Sequence, residues 1–200
     1  EVGSAGHAQQ ARKHATAVES FRWAPDGSAI YFTAADDADE SERRRLDLKF
    51  DVRIVDTPKA PLHLWALTMP GGGARRLTSG NEFSVTGFHV ADSGGWIGFT
   101  SAVPDRHNTD IASQRSDAFL LHAPTGKVER LTTNGVREGP PMVSPDGKWV
   151  AITAPEDFQY FRRMRIYLRS TAGGEWRKAP GNNWDYEVAP PEWSRDGAKL

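Results

Sequence analysis

The 200-residue chain sets 26 acidic residues against 25 lysines and arginines, for a formal net charge of −1, and contains no cysteine. This bounds it to one sizeable core or two small ones and removes the basic excess that a protein tracking a nucleic-acid backbone carries. A disulfide framework and thiolate metal sites are excluded, and no apolar run approaches the roughly 20 residues that cross a bilayer.

The chain begins without Met, and its first stretch, EVGSAGHAQQARKHA, lacks the apolar centre of a signal peptide. Residues 1–19 read as a polar lead-in, weakly helical or disordered, or as the end of a preceding unit. Compartment stays open between cytoplasm and periplasm.

From residue 20 a unit repeats. APDGSAIYFT (24–33), ADSGGWIGFT (91–100), SPDGKWVAIT (144–153) and SRDGAKL (194–200) align on Gly27, Gly94, Gly147 and Gly197. Three residues past each glycine stand Ile30, Ile97, Val150 and Leu200, and five past it Phe32, Phe99 and Ile152. Six past it are Thr33, Thr100 and Thr153, and four before it Trp23, Val90, Val143 and Trp193. Apolar residues two apart after an Asp-Gly or Ser-Gly turn predict a hairpin whose second strand has a buried face. Trp149 and Trp193 are expected to be buried residues of these strands.

Each hairpin is followed by a second one. Its leading strands are HLWAL (63–67), AFLLH (118–122) and RIYLR (165–169), and its turns and returns are PGGGARRLT, PTGKVERLT and AGGEWRKAP. Four short strands, a to d, recurring at glycine spacings of 67, 53 and 50 residues predict an all-β chain of β-propeller blades. The division is 20–85, with a charged insertion, then 86–140, 141–191 and the start of a fourth blade at 192–200. A β-sandwich with similar turns is the alternative, but it has no reason to repeat this register. Three blades and a fraction do not close a ring, so the residues are expected to be part of a larger protein.

Strand order puts the a–b and c–d turns on one side and the b–c and d–a loops on the other, and the long segments all fall on the second side. Long loops on a rigid scaffold are where binding resides. The first, AADDADESERRRLDLKFDVRIVDTPKAP, pairs Asp39 with Arg43 and Glu40 with Arg44 in the i to i+4 order of a short helix. Its carboxylates lack the glycine and final glutamate of a calcium loop and read as a solvated charge run. EDFQYFRRMR (156–165) has two readings. Phe158, Tyr160 and Phe161 pack on a neighbouring blade or domain, or the loop grips a carboxylate or peptide backbone through Tyr160, Arg162, Arg163 and Arg165. NNWDYEVAPPEW (182–193) presents Trp184, Tyr186 and Glu187 as further substrate-facing candidates. The six histidines show no metal-ligand spacing, no glycine-rich loop forms a phosphate cradle, and no serine sits in a G-x-S-x-G elbow.

W-x-P-D-G-x-x-I-x-F-T, the charged insertion before HLWAL, GGGARRLTSG, TGKVERLTTNG and VSPDGKWVAITAPEDF together resemble the N-terminal propeller of the prolyl oligopeptidase family of serine peptidases. Acylaminoacyl-peptidase and dipeptidyl-peptidase-like bacterial members are nearest in texture, and the resemblance covers about residues 20–200. The propellers of Tol-associated periplasmic proteins share the S-P-D-G hairpin, and a non-catalytic, partner-binding propeller of that type is the second reading. The family resemblance implies an α/β-hydrolase domain beyond residue 200 as intramolecular partner, carrying Ser, Asp and His. It implies no catalytic residue, metal or cofactor in these residues, and peptide as substrate. A homo-oligomer is left open. Dipeptidyl members follow Trp-x-Tyr with paired glutamates; here Trp184 and Tyr186 are followed by Glu187 and then Val188, which leans toward acylaminoacyl or oligopeptide hydrolysis.

Overall fold

The computed structural model describes residues 13–50, 60–80, 84–102, 115–181 and 191–200. They form three four-stranded antiparallel sheets, each in chain order. The first holds β1 (Val18–Trp23), β2 (Ala29–Ala35), β3 (Leu62–Thr68) and β4 (Ala74–Arg76). The second holds β5 (Ser84–Val90), β6 (Trp96–Ala102), β7 (Ser116–His122) and β8 (Lys127–Arg130). The third holds β9 (Met142–Val143), β10 (Trp149–Pro155), β11 (Met164–Ser170) and β12 (Gly173–Lys178). The fold is all-β, a partial β-propeller of three blades. A short helix, α1 (Glu40–Asp47), occupies the charged insertion.

The recurring hairpin has one set of bonds. Gly27, Gly94, Gly147 and Gly197 lie at φ near +70°, where an L side chain is disfavoured. Their N–H groups return to the carbonyls of Ala24, Ala91, Ser144 and Ser194 at 2.8–2.9 Å. In the third and fourth copies the aspartate accepts a serine hydroxyl (Ser144 to Asp146, Ser194 to Asp196, both 2.6 Å) and a backbone N–H two residues on. These bonds, the serine hydroxyl foremost, hold the Asp146 and Asp196 carboxyls below their usual range. The aspartate is thus a turn-forming group.

A second set of bonds joins the two hairpins of a blade. The N–H groups of Met69, Ala123 and Thr171 donate to the carbonyls of Ser28, Gly95 and Lys148, one residue past each turn glycine. At the other end, Leu77 and Leu131 donate to Leu64 and Ala118, at 2.7 Å each. The threonines that follow supply an oxygen where the ladder ends: Thr78 accepts from the Leu64 N–H (3.0 Å) and Thr132 from the Ala118 N–H (2.8 Å). This is the physical reason for the repeated Leu-Thr. The third blade keeps the backbone bond, Ala179 to Ile166, with Pro180 in the threonine's place.

Period-2 alternation distributes the apolar residues between neighbouring blades. Tyr31, Leu64, Val90, Ile97, Phe99, Phe119 and Leu121 form the core between the first two blades. Ala118 and Leu120 from the opposite face of β7 meet Val143, Val150, Ile152, Ala154 and Tyr167 of the third. A Cβ on Gly98 would run into the Pro141 backbone, so a glycine is what admits the next blade. Trp193 lies half-buried, its indole N–H 2.9 Å from the Met142 carbonyl, where the next repeat meets the third blade. Trp149 corrects the expectation of burial: it is 47% exposed. It heads β10 beside the exposed turn, one residue out of phase with Val150, Ile152 and Ala154, which face the second blade.

Candidate functional site

At the long-loop end every blade carries an ion pair to a base in an equivalent place, with an acid that comes from past the second strand in two blades and from the third strand in the other. A base stands just before the Leu-Thr or Ala-Pro pair of the outer strand: Arg76, Arg130 and Lys178. Arg76 donates to Asp36 just past β2, Arg130 to Asp117 in β7, and Lys178 Nζ lies 2.6 Å from Glu156 Oε1 just past β10. The second residue of each third strand, His63, Asp117 or Arg165, is buried and joins the group. His63 Nε2 is 3.8 Å from Asp36, and Arg165 Nη2 is 3.6 Å from Glu156. Burial keeps His63 below the usual imidazole range against the pull of Asp36. The hydrogen bond from Lys178 lowers the Glu156 carboxyl, and the same contact raises Lys178. These groups clamp the roots of the b–c loops.

Between the second and third blades sits a buried carboxyl, Glu138, only 4% exposed. Thr132 Oγ1 donates to its Oε2, and Asn134 Nδ2 donates to Oε1 at 2.8 Å. Its backbone is held by Ser116, whose hydroxyl accepts the Glu138 N–H (3.0 Å) and donates to the Glu138 carbonyl (3.1 Å). The next N–H, of Gly139, reaches the Thr153 carbonyl of the third blade at 2.8 Å. Burial pushes the Glu138 carboxyl up to about 7; the Thr132 and Asn134 bonds oppose this and the Asp117 charge adds to it.

The β10–β11 loop is pinned around this seam. Asp157 and Phe158 form a left-handed turn (φ 53° each), and Asp157 N–H donates to the Tyr167 hydroxyl at 2.7 Å. The Phe158 ring lies 4.6 Å from that of Tyr167. Tyr160 crosses to the second blade: its hydroxyl donates to the Gly135 carbonyl at 2.7 Å and accepts from Arg115 Nε at 3.1 Å. Phe161 follows at φ 61° with its side chain 101% exposed, and Arg162 and Arg163 beside it are exposed. Arg165 turns inward to Glu156.

Of the residues singled out from sequence, Tyr160, Arg162 and Arg163 therefore stand on one loop. Packing accounts for Phe158 and in part for Tyr160, but not for Phe161, whose ring is fully exposed. Trp184, Tyr186 and Glu187 lie outside the described residues. Glu138, Asp117 and the three loop-root bases were not anticipated. The bases had a signal: in ARRLT, VERLT and WRKAP a cation fills one column.

No family model matches the chain, and comparison with curated proteins finds no match. Solved structures share its fold. TolB from Acinetobacter baumannii is 16% identical over 91% of this chain and 36% of its own, with TM-score 0.56. The acylaminoacyl peptidase of Pyrococcus horikoshii is 13% identical over 80% of this chain and 25% of its own, with TM-score 0.53. The β-propeller domain of the Trilobed protease from Pyrococcus furiosus is 12% identical over 83% and 43%, with TM-score 0.51. The fold thus defines a class, the β-propeller domain. The chain spans less than half the length of each of these neighbours.

Proposed function

We propose that this chain is the propeller portion of a serine peptidase that cleaves short peptides by acylaminoacyl- or oligopeptide hydrolysis. In this reading it makes and breaks no bond; it restricts entry and positions the peptide from the long-loop end, and an α/β-hydrolase domain further along the chain supplies Ser, His and Asp. The observation that carries the reading is the clamped β10–β11 loop, which presents Tyr160, Arg162 and Arg163 on a rigid support at that end. The Tyr160 hydroxyl is spent on the clamp, and the guanidinium of Arg162 beside it suits a peptide's carbonyls and carboxylates. The likeness to peptidase propellers agrees with it.

Labelling of the intact protein with a fluorophosphonate, followed by hydrolysis assays on acylated and free short peptides, tests the proposal. A labelled serine with peptide turnover is expected; an unlabelled intact protein would end the peptidase reading. The likeness to TolB supports a second reading, a non-catalytic propeller that binds a protein partner. It predicts a closed ring with no hydrolase domain.

A further inference from the structure

We propose that Asn134–Gly135, in the loop between β8 and β9, is a self-modification site, where the Gly135 backbone nitrogen attacks the Asn134 side-chain amide and Glu138 is the acid that releases ammonia. This chemistry stands apart from the peptidase reading, since its only external reactant is water.

Nucleophile, oxyanion donor and acid all meet at this amide. Asn134 Oδ1 accepts the Val136 N–H at 3.2 Å, in an Asx turn that folds the side-chain carbonyl back along the intervening Gly135 peptide. Asn134 Nδ2 lies 2.8 Å from Glu138 Oε1. The Gly135 N–H makes no hydrogen bond among the described residues, and nothing lies within 4 Å of where a Cβ on Gly135 would stand. Asn134 opens the single Asn-Gly pair of the sequence and is exposed, so water reaches it.

The surroundings hold these groups in place, which is what lets a fixed donor stabilise charge as it develops. Val136 is buried, and its carbonyl accepts the Ser116 N–H at 3.1 Å, so its own N–H stays directed at Oδ1. The Gly135 carbonyl is fixed by the Tyr160 hydroxyl, and Ser116 grips the Glu138 backbone on both sides. Burial pushes the Glu138 carboxyl up to about 7, so near neutral pH it has a proton to give to Nδ2. Among the described residues the charge that acts on Glu138 is Asp117 of β7, which holds Arg130. Arg137, next to it in the chain, is exposed. From the third blade the loop meets the Thr153 carbonyl and the Tyr160 hydroxyl, and the latter also accepts from Arg115.

The Gly135 nitrogen bonds to Asn134 Cγ and gives its proton to solvent. The Cγ–Nδ2 bond breaks, Nδ2 takes the Glu138 proton and leaves as ammonia, and a succinimide ring remains. Glu138 regains a proton from solvent. One water then opens the ring at either carbonyl, leaving aspartate or isoaspartate. Both products set a carboxylate where an amide donor faced Glu138, and isoaspartate also lengthens the backbone ahead of the Gly135 carbonyl that Tyr160 holds. The seam between the second and third blades thereby carries a one-way change.

Peptide mapping by mass spectrometry on the full chain, incubated between about pH 6 and about pH 9, tests this, with the synthetic peptide TTNGVREG as the unstructured reference. Asn134 in the folded chain should lose ammonia about tenfold or more faster than the peptide near pH 6.5. The peptide's rate should climb with pH throughout, because it needs only removal of the nitrogen proton. The chain's rate should level off above about 7, where Glu138 no longer has a proton to give. Glu138→Gln should bring the rate near pH 6.5 down to within about threefold of the peptide's and abolish the levelling. A folded chain that converts no faster than the peptide, a wild-type rate that climbs through pH 9 as the peptide's does, or a Glu138→Gln rate and profile equal to wild type would overturn the proposal.

Discussion

Glu138→Gln isolates the carboxyl between the second and third blades. Its folded-state value of about 7 against the ordinary 4.5 corresponds to about 3 kcal/mol between the two protonation states. Between these limits the folded protein holds a proton that the unfolded chain has released, so its contribution to stability falls as pH rises from about 4.5 to about 7 and is flat above. His63, buried, and His89, half-buried, contribute the opposite slope: both sit below the usual imidazole range through desolvation, and their share is lost as pH falls below 6.5. Only the difference between variant and wild type separates the two. Glutamine carries no titration, but its amide NH₂ must face one of the two donors, Thr132 or Asn134, at a cost of about 1 kcal/mol. The variant should therefore be about 1 kcal/mol less stable than wild type near pH 4.5 and about 2 kcal/mol more stable above pH 7.5. Urea unfolding followed by tryptophan fluorescence at half-unit pH steps measures this. A difference curve that stays flat from pH 4.5 to 8 would show that Glu138 is ionised throughout and that burial does not dominate its environment.

Trp193→Ala removes a half-buried indole and its bond to Met142 and should cost about 2–3 kcal/mol in chemical denaturation, whereas Trp149→Ala should cost less than about 1 kcal/mol. Gly98→Ala places a methyl in the Pro141 backbone and should lose about 3 kcal/mol or more, while Gly95→Ala, with open space around it, should stay within about 0.5 kcal/mol; thermal melts of the pair check both. Arg130→Ala strips the buried Asp117 carboxylate of its guanidinium and should cost about 2–4 kcal/mol, with Arg130→Lys recovering part of the loss. A neutral Arg130→Ala would mean that Asp117 is solvated.

The scaffold was legible because each repeated residue answers a backbone requirement. The glycine column marks a left-handed turn position, the alternating Ile, Phe and Val columns mark faces shared with a neighbouring blade, and the threonine after leucine fills a place where a ladder bond is missing. α1 followed from the i to i+4 pairs across Asp39–Arg44. Trp149 was misread because alternation predicts a face but not depth, and a residue beside the turn has little packed over it. The buried polar groups were less legible. Glu138 belongs to no repeated column, and its partners Thr132, Asn134 and Ser116 meet it only once the sheets have assembled. Tyr160, Arg162 and Arg163 were visible as a basic aromatic run, but the left-handed positions at Asp157, Phe158 and Phe161, which leave one phenylalanine on Tyr167 and the other in solvent, make no mark in composition.

The ion pairs at the loop roots bear on what can be done with this architecture. Because Asp36–Arg76, Asp117–Arg130 and Glu156–Lys178 tie each sheet at the root of its loop, the segments beyond them are set apart from the strands. An eight-residue connection and one of 26 residues are borne by equivalent blades with the same strand pairing beneath. Loops of foreign sequence grafted between these clamps should inherit a finished frame, which makes the chain a candidate platform for displaying several independent binding segments side by side.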